Sequence, residues 1–251
     1  DQLTQCRCVG RLGVGLDNID VEGCVDRNIS VFPATGANSL SVAEYVISAM
    51  MTLLRPVFSA TTQMTQGKWP RAALSDGGEV GGKRLGVIGY GAIGQTSARL
   101  ARGLGMTVIA FDAMLPPDAP IFARTGVQAA DLDTLLKTAD VITLHVPLVA
   151  STRGLIGADQ LARMRRGALL INTSRGHIVD LTAVANALRS GHLGGAAIDV
   201  FDVEPLTETQ ALDDCPNLLL TPHISGLTKE SNERVSFMIA DQVLAALAES
   251  L

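Results

Sequence analysis

The sequence has no surplus of positive charge. It contains 20 lysines and arginines against 25 aspartates and glutamates, which gives a formal net charge of −5 at pH 7. A protein that binds nucleic acid through its phosphates usually carries a basic surplus, so we expect no nucleic-acid partner. Charged residues make up only 18% of the chain and hydrophobic residues 47%, a balance that is typical of a folded protein and not of a disordered one.

Cysteine is scarce as well, with four residues in a chain of 251. Only Cys6 and Cys8 lie close together, and no second pair of cysteines could complete a zinc site, so we expect no bound metal. So few thiols need no oxidising compartment, which fits a cytoplasmic protein.

Long apolar runs are also missing. The longest, residues 42–54, contains Glu44 and is too short to cross a bilayer, so we expect no membrane span. The first residues do not combine a basic segment with an apolar run, so we expect no secretory signal either. A helix over residues 40–54 would be apolar almost all round, which predicts burial against another domain or subunit and favours a homodimer.

Short apolar segments do alternate with helical patterns along the chain, and this alternation predicts an α/β fold with an open, doubly wound parallel sheet. Helix ends can be read at several places: Asp180 and Gly191 bound one helix, and Ser41 with Glu44 has the spacing of a capping box. Residues 66–82 are rich in glycine and read as a connection, with Trp69 expected to be buried. The strands are predicted at 6–11, 30–32, 84–89, 106–112, 141–145, 168–174, 196–201 and 218–223.

The segment Gly89-Tyr90-Gly91-Ala92-Ile93-Gly94 fits the pattern G-x-G-x-x-G between a predicted strand and a predicted helix over residues 92–103. Its glycines permit a tight turn and a close approach of the backbone to a pyrophosphate at the helix N-terminus. Asp112 ends the next strand and can bond both hydroxyls of an adenosine ribose. A 2′-phosphate would meet that carboxylate without a nearby cation, so we predict NAD and not NADP.

Three polar residues follow later strands: Arg175, Glu204 and His223. The carboxyl ends of parallel strands meet at one edge, so the three side chains can share a crevice. Histidine titrates in the range that a general acid/base needs, and a carboxylate against its second nitrogen would orient the ring. An arginine can hold a carboxylate through two hydrogen bonds. His145, at another strand end, fits either a cofactor contact or core packing.

The segments around these residues resemble the signature motifs of the D-isomer-specific 2-hydroxyacid dehydrogenase family, of the phosphoglycerate dehydrogenase type. The resemblance implies that the chain is an NAD-dependent oxidoreductase that interconverts a small 2-hydroxy acid and its 2-oxo acid. It further implies that Arg175 binds and polarises the substrate, that His223 is the acid/base and that Glu204 tunes it. The matching segments are residues 13–20, 145–147 with Thr152, 172–176, 199–205 and 221–226.

The same resemblance implies the remaining site residues. Backbone amides of the loop that contains Val14 and Gly15 bind the substrate carboxylate, and Asp199 lies near the nicotinamide carboxamide. The family fold joins a Rossmann NAD-binding domain to a flavodoxin-like substrate domain, of which only a part is expected here. The expected division is residues 1–36, a partial substrate domain, 37–226, the NAD-binding domain, and 227–251, a helix that returns to the substrate domain. Cofactor contacts are implied for Val146, Pro147, Thr152, Thr173, Ser174, Asp199 and Gly226.

Several alternatives stay open. Phosphoglycerate, lactate, glycerate or glyoxylate, and sulfolactate are all compatible substrates. An NAD-sensing corepressor of the same fold would resemble the family at the same residues, and the chain could be an inactive part of an enzyme. The formate dehydrogenase branch is disfavoured because it pairs its histidine with glutamine, where this sequence has Glu204.

Overall fold

The computed structural model describes residues 5–207 and 209–248, which form two compact units. The terminal unit comprises Asp1–Val42 and Gly226–Leu251, and the central unit comprises Ala43–Ser225. The elements, in chain order, are β1 (Cys8–Arg11), α1 (Val21–Val25), β2 (Ser30–Pro33), α2 (Ser39–Leu54), α3 (Ala60–Thr65), β3 (Arg84–Ile88), α4 (Ala92–Gly103), β4 (Thr107–Phe111), α5 (Pro120–Thr125), β5 (Gln128–Ala129), α6 (Leu132–Thr138), β6 (Val141–Leu144), α7 (Ala158–Arg163), β7 (Ala168–Asn172), α8 (Leu181–Arg189), β8 (Leu193–Ile198), β9 (Leu218–Leu220) and α9 (Lys229–Ala248), with 3-10 turns at Val57–Ser59 and Gly176–Ile178.

A seven-stranded parallel sheet organises the central unit. The strands lie in the order β5-β4-β3-β6-β7-β8-β9, so the winding direction reverses between β3 and β6. All residues of β6 and β7 are buried, because hydrophobic clusters cover both faces of the sheet. This arrangement confirms the predicted doubly wound α/β fold and puts a ligand crevice at the carboxyl ends of β3 and β6.

All eight predicted strands exist, but several end earlier than predicted. The last residues of three predicted strands lie in the loops that follow the observed strands: His145, Ser174 and His223. β8 begins at Leu193, three residues before its predicted start. A Cβ at Gly194 would lie 2.4 Å from the carbonyl oxygen of Gly167, so this strand takes glycine where neighbouring backbone crowds it. The two-residue β5 was not predicted.

The helix ends agree with the sequence at α4, which spans the predicted residues 92–103, and at α8. The Asp180 carboxylate accepts a hydrogen bond from the N–H of Ala183, and Gly191 follows with φ of 65°. The capping box predicted at Ser41 and Glu44 is wrong. α2 already begins at Ser39, and the Ser41 hydroxyl instead bonds the Thr228 hydroxyl at 3.2 Å.

Two predictions about apolar surfaces changed in the structure. The buried part of α2 packs into the core of the central unit itself, through Val46, Met50 and Leu53, while Met51 stays 47% exposed. Trp69 is not buried: it is 74% exposed, which corrects the prediction. Its neighbours in the turn-rich segment 67–78 are mostly exposed, so no buried core lies there for the indole to pack into.

The terminal unit is a parallel pair, β1 and β2, covered by α9. Ile239 of α9 packs so closely on β1 that a Cβ at Gly10 would lie 2.4 Å from its Cγ2 atom. Its small core comprises Ala34, Ala37, Val235 and Ile239, with Met238 and Val243 at its margin, so α9 packs through an apolar stripe on one side of the helix. The predicted boundaries at 36/37 and 226/227 stay a prediction, because a domain is defined by independent folding and not by contacts alone.

Among the described residues, no helix is long and apolar enough to cross a membrane. Within the same ranges, no three His, Cys, Asp or Glu side chains come together as they would in a metal site.

Candidate active site

The glycine-rich turn joins β3 to α4 at the point where the winding of the sheet reverses. Gly89 has φ of 93°, and a Cβ there would lie 2.4 Å from the carbonyl oxygen of His145. A Cβ at Gly94 would lie 2.2 Å from the Gly89 oxygen, so the first turn of α4 sits directly on the strand end. At Gly91, in contrast, no heavy atom of the described residues, apart from its chain neighbours and the backbone of its own helix, lies within 4 Å of a Cβ position. The turn is therefore tight against the protein and open at the helix N-terminus, as a phosphate cradle must be.

Asp112 lies beside this turn at the end of β4. One carboxylate oxygen accepts the N–H of Tyr90 at 2.8 Å and the other accepts the N–H of Met114 at 2.9 Å. Each oxygen keeps a second lone pair, so the carboxylate is held in place and can still accept hydroxyl groups. This environment suits the ribose contact that the sequence predicts for Asp112.

The loop after β6 borders the glycine-rich turn. Val146 contacts it directly, since its Cγ1 atom lies 2.8 Å from a Cβ position at Gly89. The Thr152 hydroxyl donates to the Pro147 carbonyl at 2.6 Å and accepts the N–H of Val149 at 2.9 Å. Thr152 therefore sets the shape of this loop from within, whereas Pro147 is exposed at its surface.

His145 packs into the protein at the start of the same loop. Its Nε2 atom lies 3.1 Å from the Thr143 hydroxyl and 3.4 Å from the hydroxyl of Ser97 on α4. Burial lowers the pKa of His145 to about 3, so the ring is neutral near pH 7. Of the two interpretations open from the sequence, these contacts favour core packing.

Two hydroxyls follow β7 and have different surroundings. Ser174 is buried, and its hydroxyl donates to the Leu144 carbonyl at 2.7 Å. The Thr173 hydroxyl is buried yet has no hydrogen-bond partner among the described residues. A buried hydroxyl without a partner is costly, and a bound ligand would supply the missing bond. Thr173 thus fits the nicotinamide side of a cofactor site.

Arg175 and Glu204 are brought together by two adjoining loops. A Cβ at Gly176 would lie 2.1 Å from the carbonyl carbon of Phe201, so only glycine lets the loop after β7 lie against the loop after β8. The Arg175 guanidinium bonds the Ser174 carbonyl at 2.6 Å, and its charge is one of the influences that lower the pKa of Glu204.

Glu204 is hydrogen-bonded to His223, with 2.8 Å between Oε2 and Nδ1. The other carboxylate oxygen accepts the N–H of Phe201 at 2.9 Å. Burial by itself raises the pKa of Glu204, but the hydrogen bonds from His223 and Phe201 and the charges of His223 and Arg175 outweigh it and hold the pKa below its usual value. The ionised carboxylate orients the imidazole and leaves Nε2 as the nitrogen that can exchange a proton.

Asp199 holds the turn that carries His223. The carboxylate is fully buried and accepts the Thr221 hydroxyl at 2.5 Å and the N–H groups of Ile224 and Ser225, both at 2.9 Å. Between these anchors, His223 adopts φ of 54°, a left-handed conformation that is uncommon outside glycine. The Thr221 hydroxyl also bonds Tyr45 at 2.6 Å. The roles of Thr221 and Tyr45 in this turn were not predicted from the sequence. Because α2 was interpreted only as an apolar helix, nothing indicated a polar contact from Tyr45.

Three further predicted residues belong to the terminal unit. Val14 and Gly15 lie in the loop after β1, where Arg11 Nε donates to the Gly15 carbonyl at 3.2 Å. Gly226 lies before α9, and a Cβ there would lie 2.6 Å from Asn38 Nδ2.

The central unit thus brings together the glycine-rich turn, Asp112 and the loops of Arg175, Glu204 and His223 at one edge of its sheet.

Comparison with known proteins gives a consistent result. Residues 47–225 match the family described as D-isomer specific 2-hydroxyacid dehydrogenase, NAD binding domain. The (S)-sulfolactate dehydrogenase of Chromohalobacter salexigens is 50% identical over 241 residues, which are 96% of this chain and 77% of that protein. The D-3-phosphoglycerate dehydrogenase of Bacillus subtilis is 37% identical over 244 residues, 97% of this chain and 46% of that protein.

Among solved structures, the NAD-dependent formate dehydrogenase of Staphylococcus aureus in complex with NAD is similar to this chain with a TM-score of 0.82 and 30% identity. The match covers 96% of this chain and 71% of that one. The chain therefore spans less than half of the phosphoglycerate dehydrogenase and more than two thirds of the other two proteins.

Proposed function

Because the chain belongs to the D-isomer-specific 2-hydroxyacid dehydrogenase family, we propose that it interconverts a small D-2-hydroxy acid and the corresponding 2-oxo acid, with NAD as its cofactor. The observation that carries this proposal is the Glu204–His223 pair beside Arg175, at the sheet edge that also holds the glycine-rich turn. An acid/base, an anion-binding cation and a dinucleotide cradle are the three groups that this reaction requires.

The residues that we propose to bind NAD are those whose surroundings suit a part of the cofactor. The open N-terminus of α4 at Gly91 would hold the pyrophosphate, and Asp112 would accept the hydroxyls of the adenosine ribose. The unpartnered Thr173 hydroxyl, with Val146 and Pro147, would border the nicotinamide. The cofactor would supply a hydride acceptor for oxidation at C2 and, in its reduced form, a hydride donor for the reverse reaction.

The chain's own groups handle the substrate and its proton. Arg175 holds the substrate carboxylate and polarises the oxygen on C2. His223 Nε2 takes the hydroxyl proton during oxidation and gives it back during reduction, while Glu204 stabilises the imidazolium that forms in between. The N–H groups at Val14 and Gly15 supply further hydrogen bonds to the carboxylate.

A panel of 2-oxo acids that differ at C3 identifies the substrate: pyruvate, hydroxypyruvate, 3-phosphohydroxypyruvate, sulfopyruvate and glyoxylate. Each is offered with NADH and with NADPH, and absorbance is followed at 340 nm. Sulfopyruvate belongs in the panel because a relative with 50% identity is named a sulfolactate dehydrogenase. We expect NADH-dependent reduction of at least one acid. Tight NADH binding without turnover of any acid would contradict an enzymatic function and favour an NAD-sensing one.

The variant His223→Ala separates chemistry from cofactor binding. We expect kcat to fall by about 10²- to 10⁴-fold, which is the usual contribution of an acid/base, with NADH affinity retained. His192→Ala is the matched control, because the His192 ring bonds the Leu161 carbonyl away from this site. A His223→Ala protein with near-normal kcat would remove His223 from the mechanism.

We further propose a homodimer in the cytoplasm. Support for the dimer comes from the exposed aromatic side chains of Phe58 and Trp69, which are 75% and 74% accessible, and from Met51 of α2, which is also exposed. Support for the compartment comes from the four free cysteines, none of which needs an oxidising environment.

A further inference from the structure

The Thr221 hydroxyl lies between the side chains of Asp199 and Tyr45, two residues of the central unit that are far apart in sequence. Its oxygen lies 2.5 Å from Asp199 Oδ1 and 2.6 Å from the hydroxyl of Tyr45. Asp199 follows β8, Thr221 follows β9, and Tyr45 lies on α2, so three separate elements meet in this chain of hydrogen bonds.

The direction of each hydrogen bond follows from the available protons. The Asp199 carboxylate can only accept, and it already accepts the N–H groups of Ile224 and Ser225. Thr221 has a single hydroxyl proton, which it must donate to Asp199. The Thr221 oxygen can therefore only accept from Tyr45, so the phenol is the donor at the head of the chain.

The protonation of Tyr45 agrees with that direction. Burial raises the pKa of the Tyr45 phenol, the nearby Asp199 charge raises it further, and the bond to Thr221 lowers it only in part. The phenol consequently keeps its proton near pH 7 and remains a donor.

These bonds bear on the backbone of His223. Thr221 precedes His223 and Ile224 follows it, and both are tied to the same Asp199 carboxylate. A left-handed conformation is unfavourable for a residue other than glycine, so the φ of 54° at His223 persists only if its neighbours are held. The 2.8 Å contact with Glu204 depends on that conformation.

We propose that Tyr45 is a positioning residue for His223, which it serves through Thr221 and Asp199 without touching the substrate or the cofactor. The proposal rests on the proposed function of His223, but the hydrogen-bond chain can be tested without any turnover. In this hydrogen-bond chain, Tyr45 is the donor, Thr221 is the bridge and Asp199 holds the turn that carries His223.

Amide hydrogen exchange, measured by NMR on the full chain, reads the turn directly. In Tyr45→Phe we expect the N–H groups of Ile224 and Ser225 to exchange about three- to tenfold faster, because Thr221 loses its donor and opens more often. Thr221→Val breaks both bonds and should accelerate exchange further, while Thr221→Ser should stay close to the unaltered protein. The double variant Tyr45→Phe with Thr221→Val should exchange no faster than Thr221→Val alone.

Tyr90→Phe is the matched control, because Tyr90 is the other tyrosine of the chain and also donates to a threonine, Thr125, at 2.8 Å. It removes the same hydroxyl from a buried site, so it reports the effect of lower global stability alone. After correction for global stability, exchange at Ile224 and Ser225 should be unchanged in this variant. Equal exchange in Tyr45→Phe and Tyr90→Phe would overturn the proposal.

Kinetics test the positioning role. In Tyr45→Phe we expect kcat to fall about three- to tenfold with KM changed less than twofold, since neither ligand is touched. Faster exchange with unchanged kcat would overturn the role of Tyr45 in positioning. If His223→Ala keeps normal turnover, the proposed role of His223 fails, while the exchange data still report on the hydrogen-bond chain.

Discussion

Two histidines at strand ends of the same sheet have opposite surroundings. His145 is packed between Thr143 and Ser97 and is kept neutral by burial, whereas His223 is exposed and paired with Glu204. The sequence predicted the pairing of His223 because its motif carries a carboxylate after the preceding strand. It could not decide the role of His145, because a residue just beyond a strand can face a ligand or the core with the same sequence pattern.

We expect His145 to make the protein less stable as the pH falls. Its pKa is about 3 in the folded chain and lies near the ordinary 6.5 when unfolded, so the unfolded chain binds more protons between these values. The free energy of unfolding should therefore decrease as the pH drops below 6.5, by up to about 1.4 kcal/mol per pH unit. Urea unfolding between pH 4.5 and 7.5 measures this dependence.

His145→Gln is the comparison, because glutamine keeps a polar side chain and does not titrate. The difference in unfolding free energy between the two proteins isolates residue 145, since all other titrating groups are common to both. The unaltered protein should lose stability on acidification relative to the variant. Parallel curves from pH 6.5 to pH 4.5 would mean that His145 also takes up its proton in the folded state.

At the scale of elements, the order of strands and helices was predictable, but the carboxyl ends of the strands were not. Apolar runs mark the strands of a sheet that is covered on both faces, and the predicted α4 agrees with the structure at both ends. The strands after which site residues follow end early, because His145, Ser174 and His223 use their backbone to form loops. β8 differs in the other direction, since it begins three residues before its predicted start. Its Gly194 lies so close to the Gly167 carbonyl that a side chain would not fit, and no sequence pattern reveals this proximity.

The contact between α4 and β3 yields a prediction for the cofactor cradle. In Gly94→Ala, the new methyl group would lie 2.2 Å from the Gly89 carbonyl oxygen, so the helix must move away from the strand. We expect a loss of about 1–3 kcal/mol in the free energy of unfolding, as overpacking usually costs, and at least a tenfold weaker NADH affinity. Urea unfolding and fluorescence titration with NADH provide the two values.

Gly103→Ala is the control on the same helix. No heavy atom lies within 4 Å of a Cβ at this last residue of α4, and alanine favours a helix over glycine by up to about 1 kcal/mol. This variant should be as stable as the unaltered protein or slightly more so, with unchanged NADH affinity. If both alanine variants behave alike, the close approach of α4 to β3 is not what shapes the cradle.

At the scale of the whole molecule, the two units have unequal cores. The central unit holds two large hydrophobic clusters, whereas the buried cluster of the terminal unit consists of two alanines, Val235 and Ile239. The motifs in the sequence indicated that residues 1–36 form only part of a substrate domain. It could not show which apolar side chains stay exposed, because exposure depends on neighbours that are distant in sequence; Trp69 is the clearest example.

The exposed aromatic side chains give the prediction for assembly. Phe58 and Trp69 are each about three quarters exposed, and truncation of a central aromatic side chain in an interface typically costs about 2 kcal/mol, or roughly thirtyfold in affinity. Light scattering after gel filtration should give twice the chain mass of 26.3 kDa for the unaltered protein. The double variant Phe58→Asp with Trp69→Asp should elute as a monomer with an unchanged circular dichroism spectrum, because neither side chain supports a core.

Phe237→Asp supplies the control for added charge on an exposed aromatic position, since Phe237 is 63% accessible and lies in the terminal unit. It should leave the dimer intact at the same protein concentration. A two-fold axis brings identical surfaces together, so each substitution acts twice in the interface. A double variant that stays dimeric would place the interface elsewhere on the chain, and a monomeric unaltered protein would dismiss the dimer altogether.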